Sequence, residues 1–279
     1  MKKFRFICGL MSTFVLILNA CGAAPMPVQT ASSTPFPAPS STSESIPVTP
    51  VESAFAAGPT AAPLEDILST HAVTFDTPDG ATITGALYGS GETAVVFSVM
   101  GNCRRGWEEL AQLTAAQGLM ALTYPWRNCG RSGPTDEAEL IQNFVNDARG
   151  AINFVRTQGA EDIILVGASL GGLASAKLAI EAQASGLVIF ASPVEIPGWD
   201  FRIDAPDLNT DIPKLFLTTD NDSVVSPSLS RELYELAAEP KEWQTYPGYA
   251  HGTDLFDSES GEEAQQRILQ FILKIASTN

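Results

Sequence analysis

From residue 71 onward the apolar positions fall into two kinds of run. Short stretches either alternate with polar residues or are continuous, and longer stretches carry apolar residues at every third or fourth position. Residues 72–75 and 82–88 alternate around Pro78-Asp79-Gly80, a turn signal, and predict a hairpin. Residues 94–100 are apolar but for Ser98, as in a strand buried on both faces. A helix over about 107–117 and a second buried strand over 119–124 follow. Leu140, Phe144, Ala148, Ile152 and Val155 then recur at helical spacing. The alternation continues with strand 163–166, helix 170–182, and strands 187–190 and 214–218. It closes with a helix around 229–237, a short strand 242–246 and a last helix over 262–275. In that helix Ala264, Ile268, Phe271, Ile272 and Ile275 share one face. Strand–helix alternation predicts an α/β domain, a mostly parallel sheet flanked by helices and opened by the antiparallel hairpin. In such sheets functional groups gather in loops at the carboxyl ends of the strands.

One such loop holds Gly167-Ala168-Ser169-Leu170-Gly171, a G-x-S-x-G pattern. The pentad is short, so its placement carries the argument. It directly follows the apolar run Ile163-Ile164-Leu165-Val166 and opens a helix rich in small residues. A serine on so sharp a strand-to-helix turn crowds the residues two positions away, and glycines at 167 and 171 relieve that crowding. The turn also leaves Ser169 at a helix N-terminus, where free N–H groups can hold a developing oxyanion. A serine hydroxyl needs a base to act as a nucleophile, and the chain has 2 histidines. His71 lies at the start of the domain. His251 lies in Tyr246-Pro247-Gly248-Tyr249-Ala250-His251-Gly252, a glycine-rich loop just after the last strand, and is the candidate base. A carboxylate should orient the imidazole and should follow a strand lying between the serine and the histidine. The loop Thr219-Asp220-Asn221-Asp222-Ser223-Val224-Val225 offers both Asp220 and Asp222, and spacing alone leaves the two open.

The N-terminal 63 residues have a different character. Lys2, Lys3 and Arg5 precede the apolar run 6–18, which is too short to span a bilayer but suits a secretory signal. The run ends in Leu18-Asn19-Ala20-Cys21, which resembles the lipobox of bacterial lipoproteins. That resemblance implies removal of residues 1–20 and lipid on Cys21, with the domain held outside the cytoplasmic membrane in the cell envelope. Residues 21–63 are dominated by Pro, Ser, Thr and Ala. They predict a disordered tether reaching on the order of 35 Å or more, ahead of a domain over 64–279. The formal net charge is −16, and loss of the first 20 residues, with their three basic groups, makes it more negative still. Such a surface repels phosphate backbones, so nucleic acid is excluded as a partner.

Taken together, residues 71–276 resemble an α/β-hydrolase, with serine, acid and histidine in that family's chain order. In the family the acid lies three residues beyond a glycine and just before a Val-Val-Pro-like stretch. Val224-Val225-Ser226-Pro227 matches the stretch and Thr219 takes the glycine's place, which registers Asp222 as the acid and Asp220 as its reserve. The family's second oxyanion donor comes from the loop after the third strand, normally a His-Gly pair. Met100-Gly101-Asn102-Cys103 stands there instead, so the resemblance implies the backbone N–H groups of Asn102 and Leu170 as donors. In the family's sheet the strands before Cys103 and Cys129 are neighbours. An exported protein favours disulfides, so a Cys103–Cys129 bond is expected at the rim of the site. Closing a loop of about 26 residues would stabilise the fold by roughly 3–4 kcal/mol.

The resemblance further implies acyl transfer on a small-molecule ester-like substrate, with no cofactor and no metal. Residues 191–213, where the family often inserts a lid, are few, so the site should be open. Trp126, Trp199 or Phe201 are the candidate walls of an acyl pocket. Amides, peptides and thioesters would suit the same three residues. A catalytically inactive binding lipoprotein is the reading from a different class, and oligomeric state is not legible.

Overall fold

In the computed structural model, residues 70–99, 106–127, 129, 137–196 and 201–278 are described. The signal and tether readings, Cys21, and the expected donor Asn102 and its neighbour Cys103 lie outside them. Eight strands form one sheet: β1 (Thr70–Asp76), β2 (Thr82–Tyr88), β3 (Thr93–Val99), β4 (Met120–Thr123), β5 (Asp162–Ala168), β6 (Gly186–Phe190), β7 (Lys214–Thr219) and β8 (Lys241–Tyr246). Their spatial order is β1-β2-β4-β3-β5-β6-β7-β8. β1 pairs antiparallel with β2 and β2 antiparallel with β4, while the remaining pairs are parallel. This is the expected mostly parallel sheet opened by a hairpin.

The sequence explains which strands lie where. β3 and β5 are built on the apolar runs 94–97 and 163–166, and Ala94, Val95, Val96, Phe97, Ile163 and Ile164 are all buried, because helices cover both faces at the sheet's centre. β1, at the edge, buries only Phe75. Helices α1 (Glu108–Ala115), α2 (Glu137–Thr157), α3 (Leu170–Leu178), α4 (Pro227–Leu236) and α5 (Gly261–Ala276) join the strands. Two apolar layers result. One packs α2, α3 and α4 through residues such as Phe144, Ile152, Leu173 and Leu233. The other packs α1 and α5 through Leu110, Ile268, Phe271 and Ile272.

Helix α3 is shorter than its pattern predicts, ending at Leu178 rather than at 182. The Ala182 N–H still donates to Leu178 O (2.8 Å), but Gln183 takes a positive φ of 50° and Ala184 N–H turns back to Ala179 O (3.0 Å). Arg156 of α2 donates to Ala182 O (3.0 Å) and holds the turn. Neither glycine nor proline marks this stop, so the local sequence carries no sign of it. The compact stretch expected between β6 and β7 contains a 3-10 turn, Ala205–Leu208, and an isolated bridge between Glu195 and Arg202.

Candidate active site

The loop between β5 and α3 carries Ser169 at φ 54°, ψ −127°. An L-residue held there costs on the order of 1–3 kcal/mol, and such strain persists only where the surroundings enforce it. Here they do. The Ser169 N–H donates to Phe190 O at the end of β6 (2.9 Å), and Ser192 Oγ donates to Ser169 O (2.7 Å). The two glycines of the motif meet across the turn, since a β-carbon on Gly167 would stand 2.3 Å from Gly171 O. One position further, a β-carbon on Gly172 would stand 2.0 Å from Ser192 Oγ. The pattern thus has a steric cause: α3 leaves the strand too tightly for side chains at these positions. Leu170 is the first residue of α3, so its N–H belongs to the helix end that lacks intrahelical acceptors.

Asp222 and His251 come together from the loops after β7 and β8. Their Nδ1 to carboxylate distances are 2.9 Å to Oδ2 and 3.1 Å to Oδ1. The Asp222 side chain is fully buried and that of His251 is 16% exposed. A carboxylate can only accept, so Nδ1 is the donor, and in the neutral imidazole Nε2 is then the nitrogen that keeps its lone pair. Three backbone bonds zip the two loops together: Asp220 N–H to Tyr246 O (2.9 Å), Asn221 N–H to Gly248 O (3.0 Å) and Ser223 N–H to Tyr249 O (3.2 Å). Thr219 Oγ1 adds a fourth link to Ala250 O (2.8 Å). Asp220 is exposed, and its backbone serves the zip while the carboxylate of Asp222 meets the imidazole.

The histidine loop also meets the serine's strand. Gly252 has φ +53°, and a β-carbon built on it would lie 3.4 Å from the Ala168 Cβ. Ser169 and His251 therefore occupy the same carboxyl end of the sheet, on loops that touch one residue away from each. Behind His251, Phe256 packs on Phe190 and Trp107 with ring centroids 5.8 and 5.5 Å apart. Gly106 (φ +90°) lies so close to Thr253 that a β-carbon would stand 2.4 Å from the threonine Cβ. Ser192, Thr219 and Thr253 are supports that sequence reasoning missed, because each acts on a residue far away in the chain.

Of the three aromatic candidates for an acyl wall, Phe201 lines an apolar cleft and Trp199 lies outside the described residues. Trp126 packs against the α2–α3 core layer and does not line the cleft. The cleft begins at Leu170, next to Ser169, and runs between α2 and α3 past Phe144, Leu173 and Ile196.

Comparison with known proteins agrees with this architecture. The family model described as the alpha/beta hydrolase family matches residues 89–272. An uncharacterized protein of Mycobacterium tuberculosis is 28% identical over 222 residues, covering 71% of this chain and 78% of that protein. Among solved structures, the esterase domain of a Rhodothermus marinus protein superposes with a TM-score of 0.59 at 16% identity, over 73% of this chain and 98% of that one. A Xanthomonas campestris protein described as an α/β serine hydrolase without lid superposes with a TM-score of 0.57 at 17% identity, over 74% and 94%. At such identities the structural likeness speaks for the fold.

Proposed function

Because the chain belongs to the alpha/beta hydrolase family, we propose that it is a serine hydrolase cleaving small carboxylic esters through an acyl-enzyme. Ser169 is the nucleophile, His251 the general base and Asp222 the carboxylate that orients it. The observation that carries this reading is the buried Asp222 carboxylate bonded to His251 Nδ1 at 2.9 Å, in a loop that touches the strained serine turn. The strain at Ser169 supports it independently, since a merely structural serine has no reason to occupy that backbone region.

In this mechanism Ser169 Oγ bonds to the ester carbonyl carbon as its proton passes to His251 Nε2. The imidazolium is stabilised by Asp222. Collapse of the tetrahedral intermediate breaks the carbonyl-to-alkoxy bond, and the proton leaves on the alcohol. Water then repeats the sequence on the acyl-enzyme, releasing the carboxylic acid and restoring the serine. The oxyanion is held by the N–H of Leu170 at the start of α3, with Asn102 as the second donor. Labelling with a fluorophosphonate tests the reading. The wild-type chain takes up one label and hydrolyses p-nitrophenyl acetate, while Ser169→Ala does neither. A chain that turns over no ester and takes no label overturns it, and with it the enzyme reading as against an inactive binding protein.

The chain's setting belongs to the same proposal. A lipid on Cys21 and a tether over 21–63 hold the domain at a membrane of the cell envelope, outside the cytoplasm. A Cys103–Cys129 disulfide pins the oxyanion loop. One observation supports the bond: β3 and β4, which lead into the two loops, are paired in parallel.

A further inference from the structure

The cleft beside the serine has a chemistry and a shape that select a substrate. Among the described residues, the nine side chains that line it are all apolar. Two rows form its walls. Leu170, Leu173 and Ala174 succeed one another along one face of α3, and Ile141 and Val145 stand one helical turn apart on α2. Ile196 and Phe201 add to the lining. The free space is only about 10 Å³, room for little more than one water. Beyond Phe201 the same trough opens into a groove of about 400 Å³. Ile141, Val145 and Phe201 belong to both, and Leu178, the last residue of α3, belongs to the groove. From Leu170 to Leu178 the helix rises about 12 Å. A trough thus runs from the nucleophile's neighbour along α3, narrow and apolar at its inner end, wide and of mixed lining at its outer end, where Gln142, Arg149 and Lys177 join Ile141, Val145, Leu178 and Phe201.

The groove also contains two cations, Arg149 and Lys177, but neither is free to hold an anion. Arg149 donates twice to Glu181, at 2.5 and 2.9 Å, and once to Asn146. Lys177 donates to Asp207 at 2.6 Å. A chain ending in a carboxylate would meet cations already neutralised and a protein of strongly negative charge. A chain ending in a methyl group meets the side chains of Ile141, Val145, Leu178 and Phe201.

We propose that this trough is the acyl-chain site, that it takes linear, uncharged aliphatic acyl groups of medium length, and that Phe201 sets the length. The inference rests on the serine-hydrolase reading, since it needs the acyl carbonyl at Ser169. A linear chain is the shape that threads a slot this narrow with least displacement of its walls, whereas a tertiary or aromatic acyl group has no room. Each methylene added within the slot buries apolar area worth about a fourfold rise in kcat/KM. Phe201, standing where slot becomes groove, fixes where that series ends.

The experiment is a series of p-nitrophenyl esters, from acetate through butyrate and octanoate to palmitate, with pivalate, benzoate and a succinate hemiester beside them. In the wild type kcat/KM climbs with chain length to an optimum and then falls, and the last three esters lie below butyrate. Phe201→Ala raises the ratio of kcat/KM for octanoate over butyrate at least fourfold. Val145→Trp, which builds into the trough from the α2 side, lowers the same ratio, and it decides the matter should Phe201→Ala fail to fold. A flat wild-type series, preference for pivalate or benzoate, or a ratio that Val145→Trp leaves unmoved overturns the chain-length assignment while Ser169-dependent turnover of acetate continues. Loss of all ester turnover and of fluorophosphonate labelling in the wild type is the different result that fells the hydrolase reading itself.

Discussion

Asp222 serves two partners at once. Its Oδ1 accepts the N–H groups of Val224 (2.8 Å) and Val225 (2.9 Å), which shapes the loop. Both its oxygens face His251 Nδ1, which sets the imidazole. The two functions separate by mutation. Asp222→Asn keeps an oxygen for the loop but replaces the acceptor facing Nδ1 by an amide donor, which stabilises the wrong tautomer. We expect kcat to fall by about 10³–10⁴ with little change in the denaturation midpoint. Asp222→Ala loses the loop bonds as well, and its folding stability should fall by a further 1–2 kcal/mol or so. Asp220→Asn should leave turnover nearly intact, and a large loss there would reverse the assignment of the acid. Sequence spacing left the two aspartates open. What distinguishes them is that the Asp220 backbone is bonded to β8 while the Asp222 side chain turns inward, a consequence of the loop–loop zip that no local pattern encodes. The motif glycines were legible for the opposite reason, because the contact between Gly167 and Gly171 lies within five residues of chain.

Between elements, the most heavily bonded side chain among the described residues is Arg127, in the loop after β4. Its guanidinium donates to both oxygens of Asp79 in the β1–β2 turn (2.7 and 2.8 Å) and to Asp147 of α2 (2.7 Å). Its backbone N–H donates to the other Asp147 oxygen (2.7 Å). Hairpin, rim loop and helix are thereby fixed to one another two residues before Cys129. Hydrogen bonds from Arg127 hold the Asp79 carboxyl well below the usual carboxylate range, whereas burial pushes Asp147 up. The signs therefore oppose. Asp79 contributes stability above the unfolded carboxylate value, near pH 4, and loses it as pH falls toward its own lowered value. Asp147 contributes most at low pH and less as pH rises through the unfolded value. Asp79→Asn should cost on the order of 1 kcal/mol at pH 7 and should flatten the loss of stability between pH 5 and 3, read from urea midpoints at each pH. A steeper acid loss in the variant would contradict the sign. None of this was visible beforehand. The hairpin, the strands and the helices follow from periodicity, but a clamp joining residues 79, 127 and 147 depends on which loops the sheet order brings together. Helix α3 makes the same point, since its end is set by Arg156 from a different helix rather than by a stop signal of its own.

At the scale of the whole chain, export, anchoring and the disulfide form one physical proposal. Without its first 20 residues the chain carries 13 basic and 32 acidic groups, a net charge of −19. A domain so charged is repelled by anionic lipid within a Debye length of about 8 Å at physiological salt. Its net charge would not hold it at such a bilayer, so in this proposal attachment comes from the hydrocarbon on Cys21. Two or more acyl chains, at about 0.8 kcal/mol per buried methylene, suffice without help from the protein surface, where one alone would bind only marginally. The consequence is an attachment that salt does not loosen, in contrast to a basic protein held by charge. Intact-mass measurement on the full chain recovered from membranes in high salt tests anchor and disulfide together. The mature chain should begin at Cys21 with the added mass of acyl groups. It should take no iodoacetamide label until reduced and two labels afterwards, at Cys103 and Cys129. Unmodified Cys21 would remove the anchor, and labelling before reduction would remove the bond. Neither result would disturb the pairing of Asp222 with His251, because the loops that form it lie wholly between β7 and the turn that follows β8.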